Sequence, residues 1–208
     1  MFERMRTQDQ QNLLVHELNH RTKNILAVVQ AVAQQTIPKA TSTSEAYESF
    51  KGRLQAISKA QDLLVFGSAE DATLDQLIAA GLAGSGASLE RVSIVGPQVR
   101  LPGTYGATFS LATHELCTNA FKYGALSNAE GRVTISWNVH DTREGAELMF
   151  EWREFGGPPV QPPTRKGFGT TLLEQALRKQ LGGTMELTFD ISGFVCKFSG
   201  LLPATHQR

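Results

Sequence analysis

Three side chains in the stretch 113–127, THELCTNAFKYGALS, have types and spacing that suit a metal-bound phosphate. Glu115, Asn119 and Lys122 stand at i, i+4 and i+7, so a helix places them on one side. Carboxylate and amide oxygens are hard ligands for magnesium, and an ammonium can meet phosphate charge. A solvated polar face has the same spacing, and spacing alone favours that plainer reading. His20 is a second candidate, because a neutral imidazole is nucleophilic near neutral pH and can attack a phosphoryl group. Glu154 is a third. It ends an apolar strand face, where a carboxylate is costly without a partner, and a purine amino group would supply a donor. Finally, Gly167 and Gly169 precede a helical pattern at Thr170, where glycines let backbone approach phosphate and a helix N-terminus favours anions. Alone, that turn is an ordinary loop-to-helix junction.

The elements that must carry these residues follow from periodicity. Residues 9–36 read as a helix in which Leu14, Leu18, Arg21, Ile25, Val28 and Val32 form a heptad-like seam broken at Arg21. His16, His20, Lys23, Asn24 and Ala27 lie on its other side, and Pro38 ends it. Ser42 and Glu45 read as a capping box opening a second helix, with Tyr47, Phe50, Leu54, Ile57, Gln61 and Leu64 as its seam. Two such helices make an antiparallel hairpin. It cannot bury both faces alone, so pairing with a second copy into a four-helix bundle is expected.

A short polar stretch at 66–72 marks the expected domain boundary, giving 1–66 and 67–208. Residues 74–82 read as a helix capped by Thr73, and 104–125 as the helix carrying Glu115, held by a stripe of Phe109, Leu116, Ala120 and Tyr123. Short strands are expected at 92–95 and 99–101. Alternation predicts longer ones at 132–140 (Val133, Ile135, Trp137, Val139), 147–154 (Leu148, Phe150, Trp152, Glu154), around 185–189 and around 194–198. With a further helix at 170–181 closed by Gly182 and Gly183, this is an α+β chain. Its second part is a two-layer sandwich, with helices on one sheet face and solvent at the other.

Composition narrows the class. The chain has 208 residues, 41% of them hydrophobic, which is enough for a packed core. Lys plus Arg and Asp plus Glu number 20 each, and this zero net charge argues against nucleic acid as the main partner. No run approaches the ~20 apolar residues of a membrane helix, and the polar N-terminus does not read as a signal peptide. Cys117 and Cys196 lack metal-ligand spacing and read as buried thiols of a reducing, cytoplasmic compartment.

The stretch HELCTNAFKYGALS resembles the N box of GHKL-superfamily histidine kinases, specifically the HWE subgroup. The name-giving residues would be His114, Trp152 and Glu154, the latter two in EWREFGGPPV. HRTKN at 20–24 resembles the phosphoacceptor box, and the three motifs stand in the family's order. The resemblance implies a Bergerat-type ATP-binding fold after the hairpin, with ATP and magnesium as cofactors. It implies His20 as phosphoacceptor, oriented by Asn24, and Glu154 before Gly156 and Gly157 as counterpart of an adenine-binding Asp. Gly167, Phe168, Gly169 and Thr170 resemble the second glycine box. Only about ten residues, four of them proline (Pro158, Pro159, Pro162, Pro163), separate the two boxes, so a short, stiff lid is expected. Trp152 packs beneath the base or fills the core, and both readings stand. The acid that follows the acceptor in many histidine kinases is here Arg21, leaving Glu17 as the nearest carboxylate and the general base unassigned. Relatives often carry His where Gln61 stands.

The implied function is the output module of a sensor histidine kinase, a protein-histidine kinase of two-component signalling. It would phosphorylate His20 from Mg-ATP and pass the group to an Asp of a response regulator receiver domain. Asn119 would ligate magnesium, Glu115 would polarise or position nearby, His114 and Lys122 would contact phosphate, and Tyr123 would border the nucleotide. A homodimer through the hairpin and a sensor outside this sequence are the expected partners. One competitor is an ATP-independent histidine phosphotransfer scaffold with a degenerate ATP domain. The other is a GHKL ATPase or serine-type kinase that uses its helices only to dimerise.

Overall fold

The computed structural model describes residues 22, 26–27, 29–34, 36–66, 71–83, 89–102, 105–160 and 182–202. Described residues between 22 and 36 are helical, and a short 3-10 turn, Ile37–Lys39, follows with Pro38 inside it. The chain divides into two compact units, Met1–Lys51 and Gly52–Arg208. The division falls inside helix α1, Thr43–Phe66. The start of α1 is built as its sequence suggests, with one shift. Ser42 Oγ accepts the Glu45 N–H at 3.2 Å, but the Glu45 carboxylate returns to the backbone N–H and hydroxyl of Thr41, at 2.9 and 2.6 Å, and not to Ser42.

The second unit is built on a five-stranded sheet. Its strands are β2 (Val92–Val95), β4 (Arg132–Thr142), β5 (Gly145–Phe155), β6 (Thr184–Asp190) and β7 (Gly193–Leu201), in the order β2-β4-β5-β7-β6. β2 runs parallel to β4, and the other neighbours are antiparallel. A separate two-stranded ribbon pairs β1 (Asp71–Thr73) with β3 (Arg100–Pro102). Sequence alternation did not announce β1, since three residues are too short to show a period of two.

Alternation in the long strands sorts side chains as expected. Val133, Ile135 and Trp137 on β4 and Leu148, Phe150, Trp152 and Glu154 on β5 are all buried. Helices α2 (Leu74–Ala83) and α3 (Gly106–Lys122) cover that face. Leu74, Leu77, Ile78 and Leu82 of α2 and Phe109, Leu116, Cys117 and Ala120 of α3 share one core with the strand residues. At the start of α2, the Thr73 N–H is taken by the Gln76 side chain at 3.1 Å. The opposite sheet face is polar. Glu151 lies between Arg153, at 2.8 Å, and Lys197, at 3.7 Å. The guanidinium beside Glu151 holds its carboxyl below the ordinary range. The result is a mixed α+β chain whose sheet is clothed by helices on one side.

One member of the expected apolar stripe is misplaced. Tyr123 is 73% exposed, because α3 ends at Lys122 and Tyr123 has left the helical conformation. The stripe of Phe109, Leu116 and Ala120 therefore stops one turn short. The helix expected at 170–181 lies outside the described residues, as does most of the expected lid. No described helix is long and apolar enough to cross a membrane.

Candidate functional site

Helix α3 carries most of the candidate chemistry, and α2 holds it close. Gly81 has no side chain, so α3 packs where a Cβ would strike the Ser110 carbonyl oxygen and come within 2.8 Å of Thr113 Cβ. Ser110 Oγ donates to the Leu77 carbonyl at 2.9 Å across the same contact. At the other end, the Asn119 carbonyl accepts the N–H groups of Tyr123 and Gly124, at 2.8 and 3.1 Å, which closes the helix.

The three polar residues on one side of α3 meet different surroundings. Asn119 and Lys122 are exposed, with the Asn119 amide at the surface. Glu115, one turn earlier, is buried at 5% exposure and bound by an arginine. Arg53 of α1 donates from Nε to Oε1 at 2.5 Å and from Nη2 to Oε2 at 2.8 Å. A fork of this kind satisfies both carboxylate oxygens in one plane. Sequence reasoning did not single out Arg53. No local pattern marked it, because its partner lies 62 residues away on another helix.

His114 is buried at 5% exposure and hydrogen-bonds to the Gly81 backbone. Burial pushes its pKa below the ordinary 6.5. The Glu115 charge opposes that shift and the Arg53 charge adds to it. Its Nδ1 is buried and has no hydrogen-bond partner among the described residues.

Glu154 stands at 4% exposure on the covered face of β5. Its Oε2 accepts the Ala125 backbone N–H at 2.8 Å and its Oε1 the Trp152 indole N–H at 3.0 Å. Burial raises its pKa above the ordinary 4.5, against the pull of those two bonds. Trp152 is fully buried and belongs to the core. The chain around Ala125 is packed too tightly for side chains. A Cβ on Gly157 would come within 2.5 Å of Ala125 Cα and 2.9 Å of its nitrogen, and one on Gly124 would strike the Glu154 carboxylate. Gly156 turns the chain at φ +72°, a conformation that favours glycine.

Two further residues, also unforeseen from sequence, fix the loop beyond α3. Asn128 donates to the Gly156 carbonyl at 3.0 Å and accepts the N–H groups of Glu130 and Gly131, at 3.1 and 2.8 Å. Arg91 donates to the carbonyls of Asn128, Gly131 and Leu126. The loop after α3 is thereby tied to the turn after β5, which carries Gly156 and Gly157 of the nominated nucleotide contacts. Among the described residues no group of three or more His, Cys, Asp or Glu could hold a metal ion, which leaves Asn119 as the exposed hard-oxygen side chain of the helix. Glu17, His20 and Asn24, and Gly167, Phe168, Gly169 and Thr170, lie outside the described residues.

Comparison with known proteins agrees with this architecture. A family model described as HWE histidine kinase matches residues 17–98. A blue-light-activated histidine kinase of Brucella anthropi is 37% identical over 194 residues, which are 93% of this chain and 40% of that protein. One from Brucella ovis is 34% identical over the same length, with the same coverage. The chain thus spans about two fifths of the length of these relatives. Among solved structures, the histidine kinase domain of a blue-light activated histidine kinase from Erythrobacter litoralis superimposes with a TM-score of 0.59 at 17% identity, covering 86% of this chain and 84% of that one. At that identity the likeness speaks for the fold.

Proposed function

The chain belongs to the HWE histidine kinases, and from that premise we propose that it binds Mg-ATP on α3 and the turn after β5 and transfers the γ-phosphoryl group to His20. The phosphohistidine then donates to an Asp of a response regulator receiver domain. The helical hairpin is the docking surface and, through a four-helix bundle, the homodimer contact. A sensor outside this sequence supplies the stimulus.

The observation that carries the reading is the split along one side of α3, with an exposed Asn119 and Lys122 beyond a buried, arginine-bound Glu115. Magnesium keeps most of its shell as water and substrate phosphate, so one amide oxygen is a sufficient protein ligand and Asn119 fits it. When bound, the ion supplies charge neutralisation at the phosphates. Lys122 approaches the same phosphates, and His114 reaches them only through its unbonded Nδ1, which must first be uncovered. Each Glu154 oxygen holds one N–H already and retains a lone pair for a purine amino group. His20, oriented by Asn24, attacks in line, with Glu17 the nearest carboxylate on its own stretch of chain. Transfer of this kind depends on positioning and charge neutralisation.

Autophosphorylation with γ-labelled ATP and magnesium tests this on wild type, His20→Ala and Asn119→Ala. Acid-labile, alkali-stable label on wild type alone supports both assignments. Nucleotide binding without label on any protein means that the module is held off or needs its sensor. Absence of nucleotide binding favours the phosphotransfer scaffold with a degenerate ATP domain. ATP turnover that persists in His20→Ala, with label on another protein, favours the GHKL ATPase or serine-type kinase.

A further inference from the structure

The Arg53–Glu115 pair asks for a reason beyond stability. Both side chains are nearly closed from solvent, at 11% and 7% exposure. Two buried charges brought together gain little over well-packed apolar residues of similar volume, because desolvation offsets their attraction. Arg53 sits beside Ala56 and Ile57 of α1, which are buried hydrophobics, so an apolar residue would suit the position energetically. The pair is also bidentate, and a planar fork fixes the carboxylate's direction as well as its charge. Glu115 precedes by one turn the exposed Asn119 of the same helix.

Resting on the kinase reading above, we propose that Arg53 is a positioning residue for phosphoryl transfer, which keeps the Glu115 carboxylate in a single orientation beside the magnesium–phosphate face of α3. In this role Arg53 acts through Glu115, to which it is bound by two hydrogen bonds. Without the guanidinium, Glu115 loses the fork that satisfies both of its oxygens and fixes its direction. Ground-state nucleotide contacts at Asn119 and Lys122 stay as they were. The loss therefore falls on the step in which charge moves, not on binding.

The test uses the full chain with γ-labelled ATP and magnesium. It compares wild type, Arg53→Met, Arg53→Lys, Glu115→Gln and the double variant Arg53→Met/Glu115→Gln, reading the maximal labelling rate and the KM for ATP separately. Arg53→Met is expected to lower the maximal rate about 100-fold, the scale of losing one preorganised charge contact, with KM for ATP changed less than about twofold. Arg53→Lys, which pairs one oxygen without the fork, recovers about tenfold of that loss. The double variant labels as fast as Glu115→Gln, because Arg53 has nothing left to position.

A full maximal rate in Arg53→Met, a loss confined to KM, or a double variant slower than Glu115→Gln each overturns the proposal. Where Arg53→Met fails to fold, the double variant, which removes both buried charges, still gives the deciding comparison with Glu115→Gln. Wild type that neither binds nucleotide nor takes label overturns the kinase reading and this inference together. Labelled wild type with an unaffected Arg53→Met overturns the inference alone.

Discussion

The indole N–H of Trp152 donates to Glu154 Oε1 at 3.0 Å, and the other oxygen of that carboxylate accepts the Ala125 backbone N–H at 2.8 Å. Two residues apart on one strand face, Trp152 and Glu154 point the same way, and the acid reaches on to the turn that follows α3. Glu154 therefore sets the spacing between the end of α3 and the strand that carries the glycine turn, whatever else it binds.

Glu154→Gln tests that role. An amide can accept both N–H groups only through one oxygen, so one donor loses its partner. The expected cost is about 1–3 kcal/mol in urea unfolding. Its pH dependence has a definite sign. Burial raises the folded pKa above 4.5, so the folded state holds a proton that the unfolded state has released. The carboxyl's contribution is then greatest at low pH and falls as pH rises from 4.5 through the folded pKa. The stability advantage of wild type over Glu154→Gln should shrink over that window. An advantage that grows with pH would reverse the sign of the shift.

Gly157→Ala should damage the same junction from the other side. The added Cβ would meet Ala125 Cα at 2.5 Å and its nitrogen at 2.9 Å, and both are backbone atoms that cannot swing away. A loss of about 1–3 kcal/mol is expected, the scale of overpacking. Displacing Ala125 also lengthens its bond to Glu154, so ATP affinity should fall with stability. Wild-type melting and affinity in this variant would show that the turn has room.

How far the sequence foretold this site follows from the range of each interaction. β4, β5 and β7 were legible because alternation is a local pattern, and so was the cost of Glu154 at the end of an apolar face. The Trp152 donor, two residues away on that face, was legible in principle. The Arg53–Glu115 pair was not, because its members are 62 residues apart and belong to different helices. Tyr123 kept the helical spacing of the stripe but fell beyond the helix end. There Gly124 follows, and two N–H groups fold back on the Asn119 carbonyl. Periodicity continues past a helix end that only the local hydrogen bonds reveal.

Arg91→Met should loosen the loop after α3 without touching the core. The guanidinium serves carbonyls of Leu126, Asn128 and Gly131, and each must find water when it is gone. Charge-assisted bonds of this kind are worth about 1.5–3 kcal/mol when buried and less at this half-open site. A modest stability loss is expected, with faster amide exchange at 126–131. Unchanged exchange there would mean that Asn128 alone, through Gly156, holds the loop.

His114 offers the opposite pH signature to Glu154. Burial lowers its folded pKa below 6.5, so between that value and 6.5 the unfolded state binds a proton that the folded state refuses. Stability should rise with pH through this window and be lost as pH falls below 6.5. His114→Gln has no such titration and can still hydrogen-bond the Gly81 backbone, so the wild-type advantage over it should grow as pH rises through the window. The same logic reports on phosphate. An anion at Nδ1 would favour the protonated ring and raise the folded pKa, so saturating Mg-ATP should flatten the pH dependence of the difference between wild type and His114→Gln. A difference that keeps its full slope with nucleotide bound would remove His114 from the phosphate site and leave it as the residue that joins α3 to α2.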